Sequence, residues 1–263
     1  MKRSGARLLF STRATRAASD RLHLTAPSSP SSSPSRAHPQ VVLGNDYVME
    51  ELEVDGKRLS YKQLEGGFTQ PNAGISVKML EWARDAAVRD DASSSSSSDS
   101  DVARRADDFL ELYCGNGNFT VAMAPMFRRV LATEVSKVSV AAARENIVAN
   151  GADNVDVVRL SSEELTLALD QGKSYERLGD VDVNAYDLRT VLVDPPRAGM
   201  GPEVSKFVSR FSRVVYISCN PETLAADVRT LSDTHEVRRF ATFDQFPYTP
   251  HLECGALLIA KEP

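Results

Sequence analysis

Cysteine is scarce: Cys114, Cys219 and Cys254 are the only three in 263 residues, odd in number and widely spaced. Neither a disulfide framework nor a four-cysteine zinc or iron–sulfur site can be built from them within one chain, so a reducing, intracellular setting is expected. Long apolar runs are missing too. None approaches the roughly 18 residues that a membrane span requires. Acids are nearly absent from one end, where residues 1–40 hold seven Lys or Arg against Asp20 alone, a charge of +6. The remainder carries 24 basic and 35 acidic residues, a charge of −11. A uniformly basic nucleic-acid clamp is thereby excluded, and any polyanion must be met by local cationic patches.

What is present suffices for one α/β domain with a full core and is tight for two, at 42% hydrophobic and 25% charged residues. Residues 1–40 contain nine Ser and four Pro and end in a Ser/Pro run. This composition predicts disorder. It reads either as an Arg- and Ser-rich organelle transit segment, mitochondrial or chloroplast, or as a plain extension of a cytoplasmic or nuclear protein. Residues 41–89 form a short β/α segment: two strands around Asp55-Gly56 within Tyr47 to Tyr61, then an amphipathic helix over Gly74 to Arg89. The Ser/Asp-rich stretch 90–104 reads as a surface loop.

From 105 to 263 strand, glycine turn and helix recur. Strands are predicted at Phe109–Tyr113, Arg129–Thr133, Val155–Arg159, Thr190–Val193 and Val214–Ile217, and helices at Phe119–Met126, Ser136–Asn150 and Glu222–Ser232. The alternation predicts a mainly parallel, doubly wound sheet of the Rossmann-like type, with His235–Phe243 and Cys254–Ala260 as an antiparallel edge.

Four constellations carry chemistry. Gly115-Asn116-Gly117-Asn118 sits between a strand and a helix, but Thr120 stands where a dinucleotide motif needs glycine, so a pyrophosphate cradle is disfavoured. Glu134 ends the next strand, seventeen residues after Gly117, where an acid accepts hydrogen bonds from ribose hydroxyls. Together they suggest an adenosine-containing cofactor, a structural turn being the alternative. Asp194-Pro195-Pro196-Arg197 presents a carboxylate rigidly at a strand end, an Asp that begins an ordinary turn being the alternative. Cys219 follows another strand and precedes a helix, a position that lowers a thiol pKa and favours a nucleophile; a small buried core residue is the alternative. Phe243 through Cys254 combines aromatics that could stack on a base with a carboxylate and an imidazole able to move protons; aromatics that simply pack a loop and a structural hydrogen bond from His251 are the alternatives.

In this order the motifs resemble the S-adenosylmethionine-dependent RNA uracil-5 methyltransferases, and specifically their tRNA branch, from about Asp46 through Lys261. The segments that carry the resemblance are Phe68-Thr69-Gln70-Pro71-Asn72, Leu112 to Asn118, Asp194 to Arg197, Ser218 to Leu224 and Asp244 to Cys254. Many ribosomal-RNA members carry an upstream four-cysteine cluster, for which this chain lacks the cysteines. The resemblance implies a class I methyltransferase fold, with Gln70, Tyr113, Gly115, Asn118, Glu134 and Asp194 holding S-adenosyl-L-methionine and no metal. It further implies Cys219 as nucleophile, Glu253 as base, Phe68 and Arg197 on the substrate, and a T-loop uridine of tRNA, flipped out of its stack, as target. A monomer is expected.

Members of that branch have a longer N-terminal RNA-gripping portion, so residues 41–89 read as its remnant. A tRNA-binding or tRNA-folding factor with little turnover is therefore one competing expectation. A methyltransferase acting on ribosomal RNA or on cytosine C5 is another.

Overall fold

The computed structural model describes residues 45–90 and 106–262. The expected N-terminal disorder or transit segment and nearly all of the Ser/Asp-rich loop lie outside the described residues.

Seven strands form one sheet in the order β5-β4-β3-β6-β7-β9-β8. Strands β3 (Asp108–Leu112), β4 (Val130–Thr133), β5 (Val155–Val158), β6 (Leu188–Val193) and β7 (Arg213–Ser218) are mutually parallel. They read as short apolar runs because helices cover both faces of the sheet; every residue of β3 and β4 is buried. Alternate residues feed two cores: Phe109, Leu192, Val215 and Ile217 on one face, Leu110, Val191, Val193 and Tyr216 on the other. Strands β8 (His235–Phe243) and β9 (Glu253–Ala260) pair antiparallel as predicted, and β9 inserts between β7 and β8, leaving β8 at the edge.

The hairpin β1 (Tyr47–Val54) and β2 (Lys57–Leu64), with helix α1 (Ala73–Val88), shares the first core. Leu52, Val54, Leu59 and Tyr61 pack in one cluster with Met79 and Leu80 of α1 and with Phe119 of α2 (Asn118–Met123). The free edge of β2 is closed by α3 (Lys137–Ala149). Asn146 Oδ1 accepts from the Lys62 N–H at 2.7 Å, and just past the helix Asn150 exchanges hydrogen bonds with both the N–H and the C=O of Ser60. Two amides at i and i+4 thus stand in for a strand partner.

The predicted helix to Met126 is shorter than expected: α2 stops at Met123 and Pro125 turns the chain through a single 3₁₀ turn, Ala124–Met126. Helix α6 (Pro221–Leu231) begins on Pro221, where a missing N–H costs nothing. Two helices not predicted, α4 (Ser162–Gln171) and α5 (Gly201–Val208), cover the second face. The order of strands reverses at β3, flanked by β4 and β6, and the carboxyl ends of β3, β4, β6 and β7 open there onto one crevice.

Candidate active site

The crevice is a cleft of about 620 Å³. Its floor at the carboxyl end of β3 is made by Tyr113 and Gly115, and its walls by Glu134 after β4, Asp194 after β6 and Cys219 after β7. Glu253, the first residue of β9, closes the far side, and Phe68, Gln70 and Arg197 come in from loops. Asn118 lines a smaller recess of about 60 Å³, which shares Phe68, Gln70, Tyr113, Gly115 and Asp194 with the main cleft. Segments as distant as 68 and 253 in the chain are therefore brought together.

The glycine turn works by backbone shape. Gly117 has φ of +84° at the N-cap of α2, where a residue with a side chain would be strained, and a Cβ there would touch Ala143 of α3 at 3.4 Å. Tyr113 also adopts a left-handed conformation, φ +63°, uncommon for a residue with a side chain and located where strain is often found at ligand sites. Glu134 is held beside this turn: one carboxylate oxygen accepts from Gly115 N–H at 3.1 Å, the other from Ser136 N–H at 2.7 Å.

The loop after β6 is tied to the loop after β7. Asn220 Nδ2 and Thr223 Oγ1 both donate to the carbonyl of Arg197, at 3.0 and 3.2 Å, so the segments carrying Arg197 and Cys219 are laced together. Downstream, Asp227 accepts from the Met200 N–H at 2.9 Å and from the Tyr216 hydroxyl at 2.6 Å.

Electrostatics in the cleft follow from burial. Burial, with Glu253 nearby, raises the Asp194 carboxyl to about 8. Burial raises Glu253 to about 7, opposed by Arg197. The expected depression of the Cys219 pKa is overturned: its thiol is pushed up, first by burial and then by the Glu253 and Asp194 carboxylates, against a hydrogen bond from Arg197. Pro221 has no N–H, and the N–H of Glu222 is taken by the Asn220 side chain at 3.1 Å.

Cys254 lies in the strand core as expected, and Cys114 is buried in the turn with its thiol raised well above the ordinary value, mainly by burial. Several lining residues went unread in the sequence. Ser161, Ser162 and Glu163 at the start of α4 form a wall. The capping box Ser161-x-x-Glu164 that starts this helix is a legible pattern, and both of its reciprocal hydrogen bonds form. Glu111, only 1% exposed, reaches the recess from β3, where it accepts from the Thr120 hydroxyl at 2.5 Å, and burial lifts it to about 8. Thr120, the residue that breaks the dinucleotide pattern, is thus the partner of a buried carboxyl.

The donor set suits a cationic nucleoside cofactor. Glu134, Glu163, Asp194 and Glu253 line the main cleft against Arg197 as its one basic side chain among the described residues. A lining so short of cations offers phosphate little to hold it, and a sulfonium or ammonium group placed there would favour the ionised form of the raised Asp194 and Glu253 carboxyls. Fold and cleft together define a doubly wound α/β protein with an acid-lined cleft at the switch point of its sheet.

A family model described as tRNA (Uracil-5-)-methyltransferase matches residues 34–261. The chain is 54% identical over 219 residues to a tRNA/tmRNA (uracil-C(5))-methyltransferase of Ectopseudomonas mendocina, covering 83% of this chain and 56% of the relative. The protein of the same description from Pseudomonas syringae pv. syringae is 53% identical over 222 residues, covering 84% and 57%. Among solved structures, the Pyrococcus abyssi tRNA (uracil-54, C5)-methyltransferase in complex with S-adenosyl-L-homocysteine superposes with a TM-score of 0.61 at 25% identity, over 88% of this chain and 49% of that one. The chain belongs to the tRNA (uracil-5-)-methyltransferase family. It spans a little over half the length of these curated relatives.

Proposed function

We propose that this chain transfers a methyl group from S-adenosyl-L-methionine to C5 of a T-loop uridine in tRNA. The observation that carries the proposal is the meeting of a cysteine, Cys219, and a carboxyl near neutrality, Glu253, across one cleft with the cofactor-type acids Glu134 and Asp194. The relatives' descriptions and the S-adenosyl-L-homocysteine of the Pyrococcus structure point the same way.

The cofactor, when bound, supplies an electrophilic methyl on a sulfonium. Gln70, Tyr113, Gly115, Asn118, Glu134 and Asp194 would hold it, with Glu134 toward the ribose and Asp194 toward the methionine end. Carbon 5 of uracil is too weak a nucleophile by itself. Cys219 therefore gives up its proton to water as its sulfur adds to C6, helped by the nearby Arg197 guanidinium, which favours the thiolate. The electron pair displaced onto C5 and O4 makes C5 reactive toward the methyl, which would pass to C5 as its bond to the sulfonium sulfur breaks and a neutral thioether is left. Glu253 then removes the C5 proton, the C5–C6 double bond reforms, and the sulfur leaves C6 as thiolate. A base titrating at about 7 is matched to this proton transfer at neutral pH. Phe68, 72% exposed at the mouth of the cleft, would stack on the flipped base.

Fluorine at C5 cannot be removed as a proton, so 5-fluorouracil-substituted tRNA with cofactor should trap a covalent complex that survives denaturing electrophoresis. Cys219→Ala should trap none. Failure of folded, cofactor-binding protein to form the adduct overturns the mechanism. Nucleoside analysis of the product separates 5-methyluridine from a methylated cytidine.

A further inference from the structure

We propose that Gln245 is a positioning residue that locks the side-chain amide of Gln70, so that Gln70 presents only N–H donors to the cleft. Gln245 lies in the loop between β8 and β9 and is 1% exposed. It joins this loop to the one between β2 and α1: its Oε1 accepts from the backbone N–H of Asn72 at 2.8 Å, and its Nε2 donates to Gln70 Oε1 at 2.9 Å.

The direction of each amide follows from groups that cannot be reversed. A backbone N–H only donates, so the end of Gln245 facing Asn72 is the oxygen. The other end is then the NH₂ group, and it also lies 3.5 Å from the thioether of Met79, which only accepts. What faces that NH₂ on Gln70 must be an oxygen. The Nε2 of Gln70 is thereby left over; no protein acceptor bonds it among the described residues, and Gln70 lines both the cleft and the inner recess. Two fixed N–H groups suit an oxygen acceptor and oppose an amine or ammonium.

The identity of that acceptor rests on the proposed methyltransferase function: it is either the carboxylate of the cofactor's amino-acid end or a carbonyl of the uracil. The lock itself does not depend on it.

Gln245→Glu is the informative substitution. A carboxylate still accepts from Asn72, but its second oxygen also accepts, so Gln70 must turn its NH₂ inward and show its oxygen to the cleft. In ¹H–¹⁵N spectra, with the two side-chain amides assigned through Q70E and Q245M, wild-type Gln245 NH₂ should be protected from solvent exchange and Gln70 NH₂ should not. In Q245E the Gln70 NH₂ should become protected. Binding of S-adenosyl-L-homocysteine, or KM for a tRNA transcript, should weaken by about 10- to 100-fold in Q245E. It should weaken less in Q245M, where the amide is free to turn. A change confined to S-adenosyl-L-homocysteine assigns the acceptor to the carboxylate, and one confined to RNA assigns it to the uracil.

A protected Gln70 NH₂ in the wild type overturns the lock, as does Q245E with both affinities unchanged. The wild-type exchange pattern decides the orientation even where Q245E does not fold. Wild-type protein that binds neither ligand overturns the methyltransferase function instead, leaving the exchange pattern to decide the lock separately.

Discussion

Cys219 and Glu253 stand one step beyond Ser218↔Cys254, the last pair of the antiparallel β7–β9 ladder. The placement of β9 between β7 and β8 makes them neighbours, since a β9 at the far edge would separate them by a strand. With the two groups so placed, removing each should stall a different step. Glu253→Gln keeps the size of the side chain and its hydrogen bonding but cannot take a proton. We expect it to add to C6 and then fail to release, so that unmodified tRNA with cofactor accumulates a covalent complex while turnover falls by about 100-fold or more. Denaturing electrophoresis of a time course reads this directly; normal turnover by Glu253→Gln would remove it from the base role.

The pH dependence of the rate has a definite sign. In the proposed mechanism Glu253 must be ionised to accept the C5 proton, and burial raises its pKa to about 7. Single-turnover methylation should fall about tenfold per unit as pH drops below that value. Stability should move oppositely. The Glu111 and Asp194 carboxyls, both raised to about 8 by burial, hold protons in the folded chain that the unfolded chain releases. Their contribution is complete below the unfolded pKa values near 4 and is lost as pH rises toward 8. Glu111→Gln should therefore flatten the loss of stability between pH 5 and 8, read by urea unfolding at a series of pH values.

The parallel strands announced themselves in the sequence because both faces are buried, and the edge pair showed because β8 and β9 follow one another. Helix α5 did not show: it is eight residues long and follows the Pro-rich loop that the preceding strand opens into. The site was legible wherever chemistry and turn coincided, as at Asp194-Pro195-Pro196 and Gly115-Asn116-Gly117. The titration of Cys219 was not, because it depends on how deeply the thiol is buried and on two carboxylates that approach from other strands. Gln245 was hidden for the same reason: its partners, Gln70 and Asn72, lie more than 170 positions away.

Asn146 connects the hairpin to the glycine turn after β3. Besides accepting from Lys62 N–H, its Nδ2 donates to the carbonyl of Asn116 at 2.9 Å, and the side chain is wholly buried. Asn146→Ala leaves a buried backbone N–H and C=O without their partner and should cost about 2–4 kcal/mol in urea unfolding. Asn146→Asp keeps the acceptor for Lys62 but places a carboxylate against the Asn116 carbonyl. It should destabilise at neutral pH and recover as the carboxyl protonates at acid pH.

Gly199 bears on the loop that holds Asp194 and Arg197. Its φ is +81°, and a Cβ there would lie 2.7 Å from Asp227 Oδ2, the same oxygen that receives Met200 N–H and the Tyr216 hydroxyl. Gly199→Ala thus combines a backbone penalty with displacement of a shared acceptor. We expect a loss of about 2–4 kcal/mol in stability. Because the Arg197 carbonyl is tied to Asn220 and Thr223, the shift should reach Cys219 as well. The rate of adduct formation with 5-fluorouracil-substituted tRNA should fall more than cofactor affinity does, since Glu134 and Gly115 stand on other strands. Equal loss of both would place the effect in global unfolding, and thermal melts of the same preparation separate the two.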